Sequence, residues 1–193
     1  MNDTGYLLAG IGAAGGLLAG LINFVFRPLS DHNRMIWKHI QKTYLIDQTL
    51  NNLVFTFGFD QAVRSNLLEP LANLELEVRR DSSSIRFKTF FDNAYRKNLL
   101  SINEEFHVAM DHIDGPYGIW SDDAMAWLIR PTNELLSATT DAERSEVMQA
   151  CERVQKEILN SFEEILRQAR ILEHKADRQP YEYILPWKWH LFS

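Results

Sequence analysis

A single cysteine, Cys151, stands among the 193 residues. No internal disulfide can form, and a zinc site built on paired cysteines has no ligands. Basic residues are in the minority. The 20 Lys and Arg face 26 Asp and Glu, and the net charge of −6 excludes a protein that holds nucleic acid by bulk charge. Neither a G-x-S-x-G turn nor a Walker-type phosphate loop occurs. The composition does not lack apolar residues. At 46% hydrophobic and 24% charged, the chain has the material for a packed core, in one domain or one domain with an appendage. Glycine is rare as well, with nine in all, but six of the nine fall between Gly5 and Gly20.

That clustering lies inside an uncharged run of 23 residues, Thr4 to Phe26, between Asp3 and Arg27. Ten of the 23 are Leu, Ile, Val or Phe and ten are Gly or Ala. As a helix, at ~1.5 Å per residue, the run spans roughly 34 Å, against a bilayer core of ~30 Å. Glycine costs ~1 kcal/mol against alanine in a helix in water, whereas in lipid a single open segment has only the helix to satisfy its backbone. The run therefore predicts a transmembrane helix. Gly5, Ala9, Gly12, Gly16, Gly20 and Asn23 follow one another at steps of 4, 3, 4, 4 and 3. They share one helical face, and small residues on such a face let two membrane helices approach closely. Asn23 adds an amide able to bond across that contact.

Two other readings of the run are weaker. A signal peptide needs a basic start, but only Asp3 accompanies the amino terminus. Gly10–Gly15 matches the dinucleotide fingerprint G-x-G-x-x-G, with Asp31 near the distance expected of the ribose-binding acid. The fingerprint needs further alternating strands and helices, and the remaining sequence does not show them. Four basic residues and one acid lie between Arg27 and Lys42, while no Lys or Arg precedes the run. The positive-inside rule then places the amino terminus outside and the rest in the cytoplasm.

Beyond the run the pattern is helical. Pro28 predicts a break or a bend, with Ser30 or Asp31 capping a new helix from about residue 32. Trp37 sits where either the membrane's aromatic belt or a protein core would use it. Gly58 and Asp60 mark a boundary, and a helix with Pro70 in it follows. A polar stretch leads to Ser84, which caps a helix carrying Phe87, Phe91, Ile102, Phe106 and Ile113 and ending at Asp114-Gly115-Pro116. Ser121-Asp122-Asp123 predicts the start of a short helix. Thr140-Asp141-Ala142-Glu143 is a capping box. From Val147 to Ala176 apolar residues recur at a mean step of 3.6, the period of a straight packed helix. No strand alternation stands out. From Pro180 onward the tail is dense in Tyr181, Tyr183, Trp187, Trp189 and Phe192, candidates for docking on the bundle, a partner or the bilayer.

The expected fold is all-α. An anchor (1–27) with a small-residue face precedes a helical cytoplasmic domain (28–179) and an aromatic tail (180–193). Glu104, His107 and Asp111 share spacing that offers weak candidate metal ligands, too few for a di-iron site. No catalytic residue and no cofactor is expected. The expected function is that of a single-pass membrane-tethered adaptor or assembly subunit. Its partners would be lipid, a second transmembrane helix (its own copy or another protein's) and a cytoplasmic protein. A pore-forming effector that oligomerises through the glycine face is the alternative, and a metal- or nucleotide-dependent enzyme a more distant one.

Overall fold

The computed structural model describes residues 3–82, 93–133, 137 and 140–177; the side chains of residues 3–14, 29, 79–82 and 93–95 fall outside that set. Among the described residues there are five helices and three short strands, in the order α1 (Asp3–Tyr44), α2 (Ile46–Asp60), β1 (Ala62–Arg64), α3 (Ser65–Ser82), α4 (Asn93–Ile113), β2 (Gly118–Ser121), β3 (Ala126–Ile129) and α5 (Asp141–Ala176). The chain divides into two compact units, Met1–Lys38 with Glu173–Ser193, and His39–Leu172. The Ser84 cap, Phe87, Phe91 and the tail from Pro180 lie outside the described residues.

The second unit is a helical bundle around one core. Leu50, Leu53 and Phe57 of α2, Leu71 and Leu74 of α3, Ile102 and Phe106 of α4, and Ile158, Phe162 and Ile165 of α5 are all buried. Phe57 and Phe162 meet edge to face, with ring centroids 5.9 Å apart at 88°. The α5 stripe follows the expected period, with Cys151, Ile158, Phe162, Ile165, Ala169 and Leu172 buried. Its capping box forms. The Thr140 N–H donates to Glu143 Oε2 at 2.7 Å, and the Glu143 N–H returns to Thr140 Oγ1 at 3.5 Å.

The all-helical expectation needs correction, because β1, β3 and β2 form a three-stranded antiparallel sheet in that order. Ala62 pairs with Leu128 and Val63 with Trp127; on the other edge Ile119 pairs with Leu128 and Trp120 with Trp127. The short helix expected from Ser121 is instead the tip of the β2–β3 hairpin. Ser and Asp cap helices and close turns by the same side-chain bonds to nearby N–H groups. Here the Ala124 N–H donates to Ser121 Oγ at 3.4 Å and the Met125 N–H to the Asp122 carbonyl at 3.3 Å. Met125 takes a left-handed conformation (φ 48). Its carbonyl thereby accepts from both the N–H (3.1 Å) and the hydroxyl (3.2 Å) of Ser65, at the start of α3.

Of the break or bend expected at Pro28, the break does not occur, since α1 runs through it to Tyr44. Proline removes one N–H and strains one turn, whereas ending the helix there would leave several backbone groups at each new end to be capped. Ser30, the expected cap, is buried within the helix. The chain turns instead at Leu45, which is left-handed (φ 46, ψ 44), and the Thr49 hydroxyl donates to the last carbonyl of α1, that of Tyr44, 3.2 Å away and buried.

Candidate functional site

Two places combine exposure with chemistry the core does not need. The first is the stretch of α1 before Pro28. From residue 15, Leu17, Leu18, Leu21, Phe24 and Val25 are all exposed, from 42% at Val25 to 82% at Phe24. The other side is open as well. A Cβ built on Gly16 or Gly20 would meet nothing within 4 Å, and Asn23 is exposed. A helix apolar round its circumference is ordinarily covered by protein or by lipid. The Arg27–Asp31 ion pair, at 3.9 Å and open to solvent, marks the polar end of the stretch. For Gly5, Ala9 and Gly12 only the helical backbone is described. Among the described residues no helix is long and apolar enough to cross a membrane. That statement does not reach the side chains of residues 3–14, which hold the first half of the apolar run.

Trp37 is buried, 6% exposed. It belongs to an inward stripe with Asn33, Ile40 and Tyr44, while Met35 points to solvent. Tyr181, Tyr183, Trp187, Trp189 and Phe192 lie outside the described residues.

The second place is a groove between the end of α1 and α3, with room for about 630 Å³ and lined by Thr43, Tyr44, Glu69, Pro70, Asn73, Leu76 and Glu77. Glu77 anchors its wall. The His39 ring reaches the carboxylate through Nε2, at 2.9 Å from Oε1 and 3.3 Å from Oε2, and the Tyr44 hydroxyl donates to Oε2. The rings of His39 and Tyr44 lie edge to face, 6.4 Å apart. Thr43 Oγ1 is 3.4 Å from His39 Nδ1, a contact that the i,i+4 spacing on one helix supplies by itself. Glu69 and Asn73 are exposed and turn along the same face of α3. The lining is mostly polar, with Pro70 and Leu76 as its aliphatic part, and among the described residues it offers no activated nucleophile.

The weak metal candidates separate. His107 reaches across to α3, where its Nε2 lies 2.9 Å from Glu75 Oε1, rather than closing a site with Glu104 and Asp111. Among the described residues no three His, Cys, Asp or Glu gather closely enough to hold a metal ion. Cys151 is buried, and burial, with help from Glu152, pushes its thiol above the usual range, the reverse of a nucleophile's environment.

The sequence did not reveal the groove. Its halves lie more than twenty residues apart in the chain, and neither Glu77 nor His39 belongs to a local motif. No protein-family model, no curated protein and no solved structure matches this chain.

Proposed function

We propose that the chain is a single-pass membrane-anchored adaptor or assembly subunit. The run from Thr4 to Phe26 would lie in lipid, with the amino terminus outside and the helical bundle in the cytoplasm. The observation that carries this reading is the exposure of Leu17, Leu18, Leu21, Phe24 and Val25 on one helix, a surface too apolar to leave in water. The charge asymmetry around the run sets the orientation. The Gly12, Gly16 and Gly20 face would pair the anchor with a second helix, its own copy or a partner's. Anchoring raises the effective concentration of the bundle at the surface, so that individually weak contacts suffice.

Cross-linking in membranes through a cysteine placed at Ala19 or Asn23, with Cys151 replaced by serine, tests the pairing. Dimers or a defined heteromeric product are expected, and Gly16→Leu should abolish them. An unchanged pattern in that variant would leave only the anchor. Toxicity on expression that disappears in Gly16→Leu would move the reading to a pore-forming bundle.

A further inference from the structure

The outward face of α2 is unlike an ordinary solvated helix face. Gln48, Asn51, Asn52, Phe55, Gly58 and Phe59 follow one another at helical spacing, and all six are exposed. Phe55 is 76% and Phe59 82% exposed, one turn apart. None of the six is charged, and the acids of the helix, Asp47 and Asp60, stand at its two ends. By contrast α5 sets Arg153, Lys156, Glu163 and Arg167 toward solvent, the mixed charge of a helix that meets water. Gly58 shares the α2 face with both rings. Its φ is not positive, and a Cβ there would meet nothing within 4 Å. Glycine weakens a helix interior, and no contact among the described residues makes use of its small size.

We infer that this face is where the bundle meets a second copy of itself, with Phe55 and Phe59 of each copy seated over Gly58 of the other about a two-fold axis. Every group on the face is its own complement. Rings pack on rings, and an amide both donates and accepts, so it pairs with another amide. Each copy brings the knob and the notch, which is what a two-fold contact between identical surfaces needs. Charge points the same way. Each copy carries −6, so two copies approach best where neither presents charge. A strongly basic or acidic partner finds no counter-charge on these six residues, and an anionic bilayer finds no Lys or Arg. Area sets the strength. A buried phenylalanine covers ~150–250 Å², so at these exposures the four rings bury roughly 500–800 Å² in all. Stable dimers bury about 1,200 Å² or more, which makes this a weak contact that suits chains held on a common surface. It goes beyond the pairing of the anchor, because α2 lies in the His39–Leu172 unit and its face needs no lipid.

The test is cross-linking of the purified full chain in mild detergent with a short bis-maleimide, through Asn52→Cys in a Cys151→Ser background. The chain also carries Gly16→Leu, which removes pairing through the small-residue face of α1. A homodimeric product is expected, at least tenfold above that from Glu163→Cys, an exposed position on α5. Phe55→Ser with Phe59→Ser should lower it tenfold or more. Both rings are exposed, so the fold is kept, and circular dichroism checks that it is. Gly58→Leu should fill the notch and lower the product while raising the thermal midpoint, a combination that a purely structural role does not give. The inference is overturned if the Asn52→Cys product does not exceed the Glu163→Cys product, which would leave the rings to the chain's own tail, to another protein or to lipid. It is also overturned if either the Phe55→Ser, Phe59→Ser variant or Gly58→Leu leaves the product unchanged. Because the face of α1 is already blocked, failure here leaves the pairing at Ala19 or Asn23 standing, and failure of that pairing leaves this result untouched.

Discussion

Phe162 shows how single side chains hold the bundle. It is fully buried on α5, and its ring stands edge-on to Phe57 of α2. Truncation removes apolar contact and leaves a void, so Phe162→Ala should cost about 3–5 kcal/mol in denaturant unfolding. A double-mutant cycle with Phe57→Ala should recover a coupling of about 0.5–1.5 kcal/mol for the aromatic pair. Additive losses would show that the two rings merely fill space. The α5 residues of this core were legible in sequence because a period of 3.6 repeats over many turns. Phe57 was legible as apolar but not as the partner of Phe162, since nothing local relates positions more than a hundred residues apart. The outward aromatics of α2 were not legible at all. Phe55 and Phe59 are exposed although their residue type reads as core.

At the scale of elements, the hairpin is where sequence reading failed, and its first residue, Gly118, stands where no side chain fits. A Cβ at that position would lie 1.6 Å from the Ile113 carbonyl oxygen, a backbone atom that cannot swing aside. Gly118→Ala should therefore displace the start of β2 and destabilise the chain by about 3 kcal/mol or more, read from the shift in unfolding midpoint. Strands of three or four residues are too short for alternation to register, and β1 joins β3 from some sixty positions away. The α5 capping box, by contrast, needed only four adjacent residues. There the Thr140 backbone N–H, and then its hydroxyl, hold the Glu143 carboxyl below the usual carboxylate range. Its folded value lies below the unfolded one, so its contribution is present above the ordinary carboxylate value and is lost as pH falls through the folded one. Thr140→Ala should weaken the start of α5 at neutral pH and flatten this part of the acid dependence in thermal melts. An acid limb identical to wild type would show that the cap is not holding the carboxylate.

For the whole molecule, the uncharged apolar run behind the proposed anchor was legible in the sequence, while the groove stayed hidden. A transmembrane run announces itself in consecutive residues, because lipid imposes one requirement on all of them. A groove is assembled from the ends of α1 and α3, and only folding brings Tyr44 beside Glu77. The central claim is that lipid solvates the stretch from Thr4 to Phe26. The most direct measurement is high-speed centrifugation of lysed cells expressing the full chain, before and after alkaline carbonate treatment. The chain should remain in the membrane pellet through both and leave it only with detergent, and the Leu18→Arg, Leu21→Arg double variant should shift toward the supernatant. A wild-type chain that stays in the supernatant without detergent would contradict the account.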